Sequence, residues 1–286
     1  MIQSAAFARE PRPQADGTYA LGYSDDEFRR LERQGDYYRD LTEDVLVRAG
    51  IGPGMRVLDL GCGVGDVALI AAGLVGPGGE VLGVDRSPEA LATAARRAEE
   101  AGQDSVVRFA AADLGTYVPE PGFDAVIGRF ILMYLPDPAA TLRRYARCLR
   151  PGGVVAFHEM AMGPARSVPE VPLFTRSMRW IIETFERAGF ETDMGGKLWG
   201  AFRDAGLPAP EMIAAGRVEG GTEAYAYEYA AQTLRSLLPV AKRVGTATRA
   251  EVGVDTLAER LRAEAMGKGA CIMLPTLVGA WARVPG

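Results

Sequence analysis

The sequence predicts an α/β protein built on a doubly wound, mostly parallel sheet with helical inserts. Three features of the chain predict it. Between residues 55 and 159, short apolar runs alternate with helical stretches. The first of these runs ends in a glycine turn that opens a helix, and beyond Glu159 the alternation gives way to longer helical stretches. Parallel neighbours cannot be joined by a tight hairpin, so strands that alternate with helices pair in parallel through right-handed crossovers.

Up to about Ala20 the chain is rich in Pro, Arg and small residues and reads as a loose arm. Ser24 followed by Glu27 is a capping box, and Phe28, Leu31, Tyr38 and Leu41 recur at roughly helical spacing, which predicts one or two helices over 24–49. The run over 55–60 is too short and apolar for a surface helix and ends in glycines, as a buried strand does. A helix over 66–75 and a strand over 80–84 follow. Ser87 and Pro88 then occupy the N-cap and first-turn positions of a helix that stops near Gly102. Further strands are predicted over 105–109, 123–128 and 153–159. After them come helices over 176–188 and 197–205, a strand over 210–216, a helical region over 222–265 and a last strand over 270–282. The inserted helices read as a lid. The chain thus divides into an arm and helical cap (1–50), an α/β core (51–159), and the rest of the core sheet with lid inserts (160–286).

A chain of 286 residues, 48% apolar, can bury a full core. Its net charge of -5 argues against nucleic acid, which usually needs a basic face to displace counterions. No apolar run approaches the length that crosses a bilayer, and MIQSAAFAREPRPQ at the start has no basic head before an apolar stretch. No membrane partner and a cytoplasmic location are therefore expected. Lys197, Lys242 and Lys268 are the only lysines, a bias expected of a GC-rich bacterial genome. Cys62, Cys148 and Cys271 lie far apart with no C-x-x-C spacing, so neither a disulfide framework nor a zinc site is suggested. With His158 the only histidine, a multi-histidine metal site is excluded, and no metal site is assigned. The sequence leaves a homo-oligomer open.

The most informative stretch is Val57-Leu-Asp59-Leu-Gly61-Cys-Gly63-Val-Gly65-Asp66. Glycine lets the backbone turn sharply and lets a ligand approach the main chain. The spacing is G-x-G-x-G, whereas the dinucleotide fingerprint G-x-G-x-x-G places a pyrophosphate at the helix N-terminus. Asp66 would sit at that point, where an acid repels a pyrophosphate but suits an ammonium. Asp85 ends the next strand, where a carboxylate can accept both hydroxyls of a ribose; the plain alternative is a residue that only ends a strand. Together they point to a nucleoside with an amino-acid moiety.

At this point the chain resembles the class I S-adenosylmethionine-dependent methyltransferases, over about residues 55–159. VLDLGCGVGD matches the family's first motif, VLGVDRSPEAL its second, Ala112-Asp113-Leu114 its adenine-binding third, and FDAVIGRFILMYLPDP followed by LRPGG its later ones. The resemblance implies a seven-stranded Rossmann-like sheet, its last strand antiparallel, with S-adenosylmethionine over the carboxyl edge. It also implies that Asp59 and the backbone of Gly61, Gly63 and Gly65 hold the methionine end, Asp85 the ribose, Asp113 the adenine amino group, and the Leu114 backbone an adenine ring nitrogen. Arg86 stands where the family usually has an apolar residue; its planar guanidinium could stack on adenine instead. Arg129 is either a partner for the methionine carboxylate or part of a surface salt bridge. Gln34 and Tyr23 are candidates to close over the same end.

The resemblance implies methyl transfer to a small-molecule acceptor. His158 and Glu159 are the candidates for catalysis because they end the fifth strand at the ligand edge; the other reading of His158 is a satisfied strand-end histidine. Phe174, Trp180 and Phe185 in one insert, and Tyr225, Tyr227 and Tyr229 in another, either line an acceptor pocket or form core beneath the lid. Tyr225 and Tyr229 share a helical face and Tyr227 does not. An acceptor with an apolar or aromatic body fits, with O-methylation favoured. The competing readings are an S-adenosylmethionine-binding protein without transfer, such as a cyclase, and a nucleotide-dependent oxidoreductase.

Overall fold

The structure, a computed structural model, describes residues 25–286. The arm, Tyr23 and the capping Ser24 lie outside the described residues. α1 (Asp25–Tyr37) and α2 (Arg39–Ala49) are the two helices expected there. The core follows as β1 (Arg56–Leu60), α3 (Asp66–Val75), β2 (Glu80–Asp85), α4 (Pro88–Glu100), β3 (Val107–Ala111), β4 (Phe123–Arg129), a 3-10 turn (Leu132–Tyr134), α5 (Pro138–Ala146) and β5 (Leu149–Ala161). Ser87 caps α4 by accepting the Ala90 N–H at 3.1 Å, with Pro88 in the first turn. The remaining elements are β6 (Arg166–Val168), α6 (Pro172–Arg187), α7 (Met194–Asp204), β7 (Glu211–Ala215), β8 (Val218–Glu219), α8 (Tyr225–Val244), α9 (Arg249–Val252), α10 (Leu257–Lys268), β9 (Cys271–Met273) and β10 (Thr276–Arg283). No described helix is long and apolar enough to cross a membrane.

Seven strands form one sheet in the order β3-β2-β1-β4-β5-β10-β7. β1 to β5 are parallel, and β10 runs antiparallel between β5 and β7. The order reverses between β1 and β4, so the crevice for a ligand lies outside their carboxyl ends. Both faces of the sheet are covered. Val57, Ala125 and Ile127 pack with α2, α3 and α4, whereas Leu58, Leu60 and Phe157 face α5, α7 and the covering helices. Fully burying each such Leu or Phe contributes about 1.5–3 kcal/mol. Two-sided burial is why these strands read as continuous apolar runs.

Two expectations need correction and one gains detail. The apolar segment 270–282 is two strands: β9 joins a small sheet of order β6-β9-β8, and β10 joins the large one. Pro275, which cannot donate to a ladder, stands between them. The region 222–265 is three helices, parted at Gly245 and Gly253, both in the left-handed region. Finally, α7 is not lid: Leu198 and Phe202 bury it against β5 and β10. The cover is α6, α8 and α10, which pack on one another, together with α1.

α1 crosses the N-terminus of α3 at Gly35, where a Cβ would lie 2.4 Å from the Asp66 carboxyl carbon. Asp66 cannot step aside, because Arg97 and Arg129 hold it at 2.7 and 3.1 Å. Gly35→Ala is therefore expected to cost about 1–3 kcal/mol from overpacking, outweighing the roughly 1 kcal/mol that alanine adds to a helix. A urea midpoint equal to or above that of the unsubstituted protein would refute this contact.

Candidate active site

A cavity of about 720 Å³ opens at the reversal point of the sheet, within the roughly 300–1,000 Å³ typical of small-ligand sites. β1 delivers the chain into the glycine turn, whose Gly61, Gly63 and Gly65 have φ of 66°, 51° and 88°. Each glycine has its own reason. A Cβ on Gly61 would meet Ile131, and one on Gly65 would press on Ala94 and Phe109; one on Gly63 would meet nothing within 4 Å. Gly61 and Gly63 line the cavity, whereas Gly65 lies behind it as the N-cap residue of α3. The open space over Gly63 is a cradle that a side chain would fill.

Asp85 lines the cavity from the end of β2. One of its oxygens accepts the Gly63 N–H at 3.0 Å and the other the Ser87 N–H at 2.9 Å. A carboxylate offers about four acceptor sites, so both oxygens keep capacity for a diol while the turn fixes their direction. Arg86, Asp113 and Leu114 line the same end, as does Cys62, whose thiol is pushed up by burial. Asp113 accepts the Gly115 N–H at 2.7 Å.

Below the turn lies an ionic cluster. Asp66 binds Arg97 and Arg129, and Arg129 also donates to the Thr42 hydroxyl at 3.0 Å. Arg129 lines the cavity with a side chain only 6% exposed, so it is a buried pair and not a surface salt bridge. Asp59 does not line the cavity, and neither of its carboxylate oxygens has a partner. Burial pushes its carboxyl up to about 8 against the opposing charge of Arg129, with Asp85 and Asp66 adding to the rise. With Asp59 held protonated at neutral pH, the charges of Asp66 and Asp85 are balanced by Arg97 and Arg129. The fit to a nucleoside donor rests on the open cradle over Gly63 and on the spare acceptor capacity of Asp85 beside it.

His158 and Glu159 are not where the sequence placed them. β5 does not end at Glu159 but runs on to Ala161, so both residues sit inside the sheet, His158 between Arg129 of β4 and Gly279 of β10 and Glu159 beside Val278 of β10, and Met160 and Met162 reach the cavity instead. Neither His158 nor Glu159 lines it. Burial, with Arg129 beside it, holds the imidazole down to about 3. Glu159 accepts the N–H groups of Ile131 and Leu132 at 2.9 and 2.7 Å and so fixes the turn that walls the cavity. Burial pushes its carboxyl up to about 8, against those bonds.

This raised acid has a definite pH signature. It favours the protonated form in the folded chain, so stability falls as pH rises from its ordinary value of 4.5 to about 8 and then levels off. Glu159→Gln keeps an acceptor for both N–H groups and lacks this loss. The stability difference between the two proteins should widen in favour of the variant across that window, the contribution of Asp59 cancelling. A difference that is flat with pH would show Glu159 to be ionised throughout.

Beyond the donor end the cavity continues into a chamber lined mainly by apolar side chains. Met133, Tyr134, Met162 and Phe190 wall it, and Phe28, Leu31 and Gln34 of α1 cover it. Of the six lid aromatics, Phe185 and Tyr229 line it and the other four pack elsewhere. Ser236 of α8 donates to Glu27 of α1 at 2.6 Å, and Glu27 pairs with Arg30 at 2.6 Å, which ties the two covering helices together. Thr233 and Glu191 also line the chamber and were not foreseen. Met160 and Met162 were readable, since they continue the alternation of β5 past Glu159.

Comparison with known proteins agrees with this geometry. The profile described as "Methyltransferase domain" matches residues 51–190. Over 142 residues the chain is 37% identical to the nocamycin O-methyltransferase of Saccharothrix syringae, covering 46% of this chain and 50% of that protein. The chain spans about half the length of the curated relatives it matches. Geranyl diphosphate methyltransferase in complex with S-adenosylmethionine is 20% identical with a TM-score of 0.52, over 93% of this chain and 94% of that one. The [4+2]-cyclase SpnF is 24% identical with a TM-score of 0.52, over 86% and 80%. These structures share the fold. Residues 51–190 are thus a methyltransferase domain of the class I S-adenosylmethionine-dependent kind.

Proposed function

We propose that the protein transfers a methyl group from S-adenosylmethionine to an oxygen of a small-molecule acceptor with an apolar body. One observation carries this reading: the glycine turn, Asp85 and the apolar chamber share a single cavity. The backbone of Gly61 and Gly63 would hold the methionine end beside Arg129 and Gln34, with Asp59 supporting the turn from behind the wall, Asp85 would hold the ribose, and Asp113, the Leu114 backbone and Arg86 the adenine. When bound, the donor supplies an electrophilic methyl on a sulfonium. The chain's own part is to align the acceptor and keep water out, and Leu31, Phe185 and Phe190 serve that second end. His158 stands behind the wall, so the acceptor's own acidity supplies the nucleophile, as in an enol or phenol. The name of the nocamycin relative supports oxygen as the atom methylated.

S-adenosylmethionine and S-adenosylhomocysteine should raise the melting temperature and nicotinamide dinucleotides should not. Asp85→Ala should weaken the donor by about 1–3 kcal/mol. Methyl-labelled donor incubated with a metabolite extract should yield a labelled small molecule. Donor binding with no labelled product would favour a cyclase-like protein, and stabilisation by the dinucleotide alone would overturn the family's donor here.

A further inference from the structure

We infer that Phe130 is a positioning residue for methyl transfer: its backbone, held left-handed, sets its ring as the partition between the donor end and the acceptor chamber. This rests on the reading of the cavity as the site of both. Among the described residues, Phe130 alone of the non-glycines has a positive φ, 55°. A bulky side chain is an outlier there, and such strain persists only where the surroundings over-determine it.

Here they do. Phe130 follows the last residue of β4 and donates its N–H to the His158 carbonyl at 3.0 Å, and the Glu159 carboxylate holds the next two N–H groups at 2.9 and 2.7 Å. A glycine would make this turn without the steric cost. What the position requires is therefore the ring. Phe130 is half-buried and lines the cavity. The Arg129 guanidinium carbon lies over the ring, 5.3 Å from its centroid, and joins it to the donor end through Asp66. Tyr38 meets the ring nearly perpendicular at 6.1 Å, and the His158 imidazole lies 6.4 Å from it at a tilt of 33°. His158 and Met160 share one face of β5, and Met160, which accepts the Tyr229 hydroxyl at 3.8 Å, lines the cavity. The ring thus stands between Arg129 and Met160, with the imidazole behind it.

The part such a ring plays is steric. In an in-line displacement the acceptor oxygen must approach the methyl from the side opposite the sulfur, and a rigid wall at the junction removes the approaches that miss it. The ring has no group that titrates, so it acts on alignment and not on proton transfer. It also keeps the imidazole of His158 out of the acceptor's reach.

The test compares Phe130→Gly, Phe130→Ala and Phe130→Tyr with the unsubstituted protein. Glycine relieves the backbone and alanine does not, so of these two the glycine variant should unfold at the higher urea concentration. Both should bind S-adenosylhomocysteine within about threefold of the unsubstituted protein in calorimetry. In single-turnover transfer from methyl-labelled S-adenosylmethionine to the labelled product of the metabolite extract, both should be at least about tenfold slower, a misplaced reactant costing up to about a hundredfold. Phe130→Tyr keeps the ring and should transfer at close to the original rate. Because His158 is the only histidine in the chain, diethyl pyrocarbonate reads the wall without any acceptor: the imidazole should react slowly in the unsubstituted protein and several-fold faster in Phe130→Gly. Glycine and alanine variants that transfer at the full rate or rank by their stability, a tyrosine variant as slow as they are, or an imidazole equally shielded in Phe130→Gly would overturn the inference alone. No labelled product from the unsubstituted protein, or no binding of S-adenosylhomocysteine to it, would instead overturn the reading beneath it, and the inference with it.

Discussion

Gly63→Val is expected to abolish donor binding, weakening it by more than about a hundredfold, or about 2.7 kcal/mol. Two costs combine. Gly63 sits at φ 51°, where a side-chain-bearing residue costs about 1–2 kcal/mol and a branched one is an outlier. The new side chain would also fill the cradle over the turn, and any shift of the Gly63 N–H would release Asp85 from the 3.0 Å bond that orients it. The fold should survive, because no neighbour lies within 4 Å of that Cβ. Calorimetry with S-adenosylhomocysteine should show the loss, and urea unfolding should show only the conformational cost. Affinity within about threefold of the unsubstituted protein would place the donor away from the turn.

Arg129→Leu is expected to destabilise the protein by about 3–5 kcal/mol, the usual cost of removing one partner of a buried ion pair. Arg129 holds Asp66 and Thr42 at once, and its charge is what opposes the rise of the Asp59 carboxyl. Leucine leaves Asp66 to Arg97 alone and takes the donor from the Thr42 hydroxyl. Asp59, raised to about 8, is already protonated at neutral pH, so adding Asp59→Asn should leave the loss nearly unchanged. Urea unfolding of the single and double variants measures both. A single-variant loss under about 1 kcal/mol would mean that the pair is screened as a surface pair is.

The donor half of the site was legible because its chemistry is local. A strand, a turn of three glycines and an acid on the next strand end lie within thirty residues, and backbone geometry allows them one arrangement. Asp85, Asp113, Leu114, Gly61 and Gly63 line the cavity as the motifs imply. The acceptor half was not legible. Its walls come from α1, the 3-10 turn, β5, α6 and α8, whose meeting depends on how helices pack, and an apolar residue has the same sequence signature in a pocket wall as in a core.

By itself, then, the amino-acid order determined the parallel core, the helices α1 to α4 and, through its motifs, the resemblance to the family, because periodicity, capping and glycine turns are decided by neighbours in the chain. The tertiary structure alone decided the end of β5, the division of 270–282 between two sheets, and the company each charge keeps. One extra pair of residues on β5 moved His158 and Glu159 from the ligand edge into the sheet. Pairing with β4 and β10 sets that length. A strand's end is fixed by the partners that satisfy its backbone, and those partners lie far away in sequence.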